Sequence, residues 1–169
     1  MVGLIGASGS GKSTLMRLIA GFETIDNGNG SIKLFGSLCQ ANGQKTSAIK
    51  TLRSDIGIIF QQFNLVGRLT LLMNVLVGRL GRVGRLQGTF GVFPKNDRIK
   101  ALQALERVGI VDKAYQRAST LSGGQQQRAA IARTLTQEAK LILADEPIAS
   151  LDPGLSLIHI SEPTRRSMI

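Results

Sequence analysis

Apolar and polar positions divide the chain into short strand-like runs near its two ends and a long helical stretch between them. Val2-Gly3-Leu4-Ile5 is an apolar run that stops at Gly6, and it predicts a buried strand. From Lys12 to Ala20 the period changes. Leu15, Leu18 and Ile19 fall on one face of a helix that Gly21 can end. Ser31 to Phe35 and Ile56 to Phe60 predict further strands, the second apolar on both faces as a parallel strand requires. Between Leu65 and Leu135 the character is helical. Ile99, Leu102, Leu105 and Val108 mark the buried face of a helix from Arg98 to Val108, which Gly109 closes. Leu141 to Ala144 is again continuously apolar, and Asp145-Glu146-Pro147 follows it. Strand, helix, strands, a helical insertion and a strand predict an α/β sheet that binds ligands at the carboxyl ends of its strands.

Composition narrows this picture. The 169 residues suffice for one domain, or one and part of another. Hydrophobic residues are 43% and charged residues 19%, which excludes a disordered or collagen-like chain. Aromatic residues are only 4%, so the core must be built from Leu, Ile, Val and Ala. The single cysteine, Cys39, cannot form an intrachain disulfide, and the chain reads as cytosolic and reduced. Met1 to Ile5 meets Gly6 too soon for a signal-peptide core, and the best apolar stretch, Leu69 to Val77, is short and contains Asn74. A soluble protein is expected. The net charge of +10 favours an anionic partner: nucleotide, nucleic acid or lipid headgroups.

The chemistry begins at Gly6-Ala7-Ser8-Gly9-Ser10-Gly11-Lys12-Ser13-Thr14, which satisfies G-x-x-x-x-G-K-[ST] directly after a predicted strand and before a predicted helix. Glycines there let backbone N–H groups turn inward around phosphate oxygens, and the helix dipole adds positive potential. Lys12 can reach the β- and γ-phosphates, and the Ser13 hydroxyl can ligate Mg²⁺. This is a nucleotide-phosphate site. A second glycine cluster, Leu121-Ser122-Gly123-Gly124-Gln125, opens another helix. Ser122 and Gln125 have capping-box spacing, while the paired glycines leave amides open to an anion, so a capped helix start and an anion site are both consistent.

Together the two clusters resemble the ATP-binding subunits of ABC transporters, whose signature reads LSGGQ. The implied fold is a P-loop NTPase core with a parallel sheet and an inserted α-helical subdomain, here about residues 65–135. In that family the signature of one subunit closes over ATP held by the phosphate loop of another. Ser122, Gly123, Gly124 and Gln125 would then belong to a nucleotide site shared across a head-to-tail dimer. Leu141 to Glu146 matches the family's Walker B strand: Asp145 would hold Mg²⁺ and Glu146 would orient or deprotonate the attacking water. Ser150-Leu151-Asp152 resembles the loop that crosses the dimer seam. Gln61 best matches the glutamine that contacts Mg²⁺ and water, with Gln62 the neighbouring alternative.

The resemblance covers nearly all of residues 2 to 153. The stretches from Phe60 to Val66, Asn74 to Gly78, Ser119 to Arg128 and Ala144 to Pro153 are most similar to the branch that powers phosphonate import. Branches for phosphate, methionine or polar amino acids share the motifs but match the intervening residues less well. The implied reaction is hydrolysis of ATP on the cytoplasmic face of the membrane, driving uptake through a permease fed by a binding protein. The Gly/Arg-rich segment Gly78 to Pro94 lies in the region that in this family docks on the permease. Its interleaved Arg and Phe could also grip single-stranded nucleic acid, but no groove-reading motif accompanies them and a nucleotide already accounts for an anionic ligand. Nucleic acid is not expected as a partner.

Both ends depart from the family pattern. Residues 1–154 read as a partial nucleotide-binding domain that lacks the family's adenine-stacking aromatic, and aromatic–base stacking is worth about 1–3 kcal/mol. From Leu155 the residues LSLIHISEPTR resemble the translation of a sequencing adapter, so 155–169 read as a non-native tail. His159 is accordingly not taken as the family's switch histidine. The chain alone could therefore bind nucleotide without turnover. Reading the genomic locus past the Gly154 codon should reveal a different continuation; native sequence running on as LSLIHISEPTR would end the adapter interpretation.

Overall fold

The computed structural model describes residues 2–7, 9–28 and 30–145. Helix α1 (Lys12–Ile19) is followed by a three-stranded antiparallel sheet of β1 (Ser31–Leu34), β2 (Ser37–Ala41) and β3 (Gln44–Lys45). Helix α2 (Ser47–Leu52) leads into β4 (Ile56–Ile59). Four α-helices come next, α3 (Leu71–Leu76), α4 (Arg85–Thr89), α5 (Lys95–Arg107) and α6 (Gly123–Gln137), with short 3-10 turns between them, the first at Val77–Arg82. Strand β5 (Leu141–Ala144) then pairs in parallel with β4, Ile56 opposite Leu141 and Ile59 opposite Ala144. The predicted strands at 56 and 141 are thus both present, and paired with each other.

The apolar run Val2–Ile5 is not a strand. Val2 and Ile5 are 95% and 98% exposed, and among the described residues β4 and β5 pair only with one another. Hydrophobic composition alone cannot make a strand, which exists through ladder hydrogen bonds to a neighbour. Ser31–Leu34 does form one, but in an antiparallel hairpin with β2 that turns at Phe35 and Gly36.

The main core is helical. Leu71 and Val75 of α3, Ala101 and Leu105 of α5 and Ala129 and Ala132 of α6 are buried together. The buried face of α5 is rotated from the predicted one: Leu105 is its centre, Leu102 and Val108 flank it, and Ile99 is 43% exposed. Small Ala101 and Ala104 allow α5 and α6 to approach closely, which turns Ile99 outward. A second cluster of Cys39, Ile49 and Ile56 joins β2, α2 and β4. Buried Gln40 fixes α1 to this layer by donating to the carbonyls of Leu18 (2.6 Å) and Glu23 (3.1 Å) while accepting from Ile25 N (3.1 Å).

Charges tie the helices to the sheet. Buried Arg79 donates from Nε to Asp97 Oδ1 (2.9 Å) and from Nη1 to Glu138 Oε2 (2.8 Å); Lys100 Nζ donates to Glu138 Oε1 (2.6 Å). Asp55 is flanked by Arg82 (3.0 Å) and Lys140 (2.8 Å). The Lys140 hydrogen bond holds the Asp55 carboxyl below the usual carboxylate range, and Lys100 does the same for Glu138. A depressed folded-state pKa means stability present above the ordinary carboxylate pKa and lost as pH falls through the folded value. Urea midpoints should therefore fall as pH drops below about 4, and Asp55→Asn with Glu138→Gln should flatten that decline; an equally steep decline in the double variant would contradict these assignments.

Candidate active site

The glycine-rich loop is shaped by its own backbone and by Lys12. Gly11, the residue before α1, has φ of 87°, and Gly9 has φ of 80°, left-handed conformations that a side chain would strain. Lys12 folds back, its Nζ donating to the carbonyls of Gly6 (2.8 Å) and Ala7 (2.8 Å) and lying 3.4 Å from Ser10 Oγ. A Cβ on Gly6 would fall 2.7 Å from Ser10 Oγ, so a side chain there would displace the Ser10 hydroxyl from its place beside Lys12 Nζ. No side-chain hydrogen bond caps the start of α1. The first-turn amides, Thr14 among them, stand where helix dipole and backbone donors favour an anion. Ser8 lies outside the described residues.

Ser13 Oγ donates to Asp145 Oδ1 at 3.0 Å, joining the start of α1 to the end of β5 across most of the sequence. These two residues border a cleft of about 260 Å³ whose wall also includes Gln61 and Gln62. The structure thus brings together the phosphate loop's serine, the strand-end aspartate and both glutamines. Met16, Arg17 and Phe22 border the same cleft and were not singled out from the sequence. Met16 and Arg17 carry a usable signal, since three and four residues after Ser13 fall on its helix face. Phe22 carries none; tertiary packing sets its ring 5.9 Å from that of Phe60. Hydroxyl and carboxylate oxygens are the donor types Mg²⁺ takes, and Mg²⁺ needs only one or two from protein when phosphates and water supply the rest. Among the described residues no cluster of three or more His, Cys, Asp or Glu could hold a metal by itself.

The second glycine cluster forms the capping box expected from its spacing. Ser122 Oγ accepts from Gln125 N (3.4 Å), and Gln125 Oε1 accepts from Ser122 N (3.0 Å). Gln125's side chain is therefore committed to the helix start. A Cβ on Gly123 would meet nothing within 4 Å, so the face beside Ser122 is open. The structure contains a single chain, and Ser122, Gly123 and Gly124 are not among the residues lining the Ser13–Asp145 cleft. Glu146 and Asp152 lie outside the described residues, as does the tail from Leu155.

Comparison with known proteins fixes the class. The family model for ABC transporters matches residues 1–149, and the chain belongs to that family. It is 62% identical over 154 residues to a phosphonates import ATP-binding protein of Pseudomonas aeruginosa (strain UCBPP-PA14), covering 90% of this chain and 55% of that protein. To the protein of the same name from Nostoc sp. (strain PCC 7120) it is 61% identical over 153 residues, covering 90% of this chain and 57% of that one. The chain thus spans little more than half the length of these relatives. Among solved structures it is similar to the dimeric bacterial ABC transporter cassette MJ0796, with TM-score 0.69 and 35% identity over 87% of this chain and 60% of that one. A post-hydrolysis state of that cassette, bound to ADP and Pi, matches with TM-score 0.65 and 34% identity over 88% of this chain and 61% of that one. The fold is that of an ABC ATPase cassette, with a P-loop NTPase core.

The Ser13–Asp145 bond has a measurable weight. Ser13→Ala removes the donor from a half-buried carboxylate and should cost about 1.5 kcal/mol, the lower end for a hydrogen bond to a charged group. The reading is a lower urea midpoint at unchanged m-value, and an unchanged midpoint would show that the bond carries no stability.

Proposed function

We propose that the protein to which this chain belongs binds and hydrolyses ATP to power import of phosphonates. The observation that carries the reading is the Ser13–Asp145 contact beside a glycine loop into which Lys12 already points. The substrate class is supported by the names of the relatives that are 61–62% identical. In this reading residues 1–154 form part of a nucleotide-binding domain with its helical subdomain at about 65–135.

The loop from Gly6 to Thr14 wraps the phosphates with backbone N–H groups, and Lys12 exchanges its bonds to the Gly6 and Ala7 carbonyls for β- and γ-phosphate oxygens. Ser13, Asp145 and Gln61 fit Mg²⁺, which when bound neutralises charge developing on the phosphates. Glu146 accepts a proton from the water that attacks the γ-phosphorus, and the bond to the β–γ bridging oxygen breaks, giving ADP and phosphate. Ser122, Gly123 and Gly124 of a second copy, with Asp152 at the seam, complete the site; the dimeric state of the MJ0796 cassette supports this pairing.

Permease subunits fed by a binding protein are the remaining partners, and they hold the subunit at the cytoplasmic face of the membrane. No described helix is long and apolar enough to cross a membrane itself. Exposed Leu86 (76%) and Phe90 (78%) in the Gly/Arg-rich segment support docking of the permease there. No nucleic-acid partner is included.

In the intact protein, Glu146→Gln should keep ATP binding while turnover falls by roughly 10²- to 10⁴-fold, the range for loss of a general base. Lys12→Ala should instead weaken nucleotide binding itself, read by calorimetry with Mg·ATP. Undiminished turnover in Glu146→Gln would remove that residue from the chemistry.

A further inference from the structure

The turn after Gln61 and Gln62 is bent against backbone preference and is gripped from another element. Phe63 and Asn64 both lie in the left-handed region, with φ of 56° and 48°. Two successive non-glycine residues there, one of them a bulky Phe, persist only when surrounding structure imposes the shape. The grip comes from Arg133 of α6, whose Nη2 donates to the Phe63 carbonyl at 2.8 Å and whose Nη1 donates to the Asn64 carbonyl at 2.9 Å. A guanidinium fork spans two successive carbonyls as one rigid unit, which a lysine ammonium cannot reproduce. Arg133 is itself closely seated. A Cβ on Gly78 would fall 2.5 Å from the Arg133 carbonyl oxygen and 3.3 Å from its Cγ, so the turn after α3 packs backbone to backbone against this point of α6. On the far side of the grip, Gln61, Gln62 and Asn64 border the cleft with Ser13 and Asp145.

We infer that Arg133 is a positioning residue, holding the Phe63–Asn64 turn in its strained form and so setting where Gln61 and Gln62 stand relative to Ser13 and Asp145. This rests on the ATPase reading above and deepens it. Arg133 does not line the cleft; it works through the turn. Gly78 is part of the device because any side chain there would push Arg133 off its seat.

The test uses the intact protein and two readouts. Phe63 N donates to Phe60 O (3.0 Å) and Asn64 N to Gln62 O (2.6 Å), so hydrogen exchange at these amides reports the turn directly. In Arg133→Ala, exchange at both should rise at least tenfold while the amides of Ala129 to Ala132 keep their protection. Saturating ATP turnover should fall at least tenfold with KM for ATP within threefold. Arg133→Lys, which keeps the charge and the stem, should show the same pattern more weakly and serves if the alanine variant does not fold. Adding Asn64→Gly to Arg133→Lys, which removes backbone strain at that position, should recover at least half of the lost turnover. Unchanged exchange at Phe63 and Asn64 in both Arg133 variants would overturn the inference, as would kcat and KM changing together without rescue by Asn64→Gly. Should the unmodified protein fail to hydrolyse ATP, the ATPase reading falls, whereas the exchange data still decide whether Arg133 holds the turn.

Discussion

Parallel pairing of β4 with β5 is the constraint from which the rest follows. Two parallel strands cannot be joined by a tight turn; the chain must leave one end and return to the other through a crossover. Here the crossover is everything from Phe60 to Lys140, so the helical insertion is the connection itself. Its last helix, α6, belongs to both layers. Ala129 and Ala132 pack among α3 and α5, whereas Thr134 lies against Gly57 of β4, where a side chain on the glycine would collide with it. Gln137 then donates to the carbonyls of Ser54 (3.1 Å) and Ile56 (2.8 Å). Because β4 and β5 run the same way, Gln61 and Asp145 leave the sheet at the same edge, where Ser13 meets them.

The charges around Arg79 supply definition more than net energy. A buried guanidinium paired with Asp97 roughly repays its own desolvation, but removing one partner strands the other at a cost of about 3–5 kcal/mol. Arg79 also donates to the Thr136 carbonyl (3.3 Å), which ties the end of α6 to the same point. The arrangement penalises any other register of α5 on α6 while leaving the apolar core to carry the bulk of stability.

Much of this was legible in the sequence, for reasons specific to each element. The phosphate loop, α1, β4 and β5 announce themselves because their signals are local: glycines at fixed spacing, a helical period, continuous apolar runs. The Ser122–Gln125 box was legible for the same reason. Val2–Ile5 misleads because a strand also depends on a neighbour that the run itself does not encode. Strand β2 is hidden because its most buried polar residue, Gln40, is satisfied by α1 and the segment after it rather than by its own sheet. The outward turn of Ile99 depends on the small alanines beside it, and the two-carbonyl grip of Arg133 joins positions distant in sequence that no period links.

The end of α6 shows how far the fold overrides local preference. Glu138 terminates the helix in a left-handed conformation, φ 55°, where glycine is the usual occupant. It also places negative charge at the negative end of the helix macrodipole. Both intrinsic tendencies oppose it, and Arg79 and Lys100 offset them from the preceding half of the insertion. The boundary of this helix is therefore written by residues outside it. A peptide cut from Gly123 to Lys140 would lack both cations that offset the charge and the left-handed backbone at Glu138.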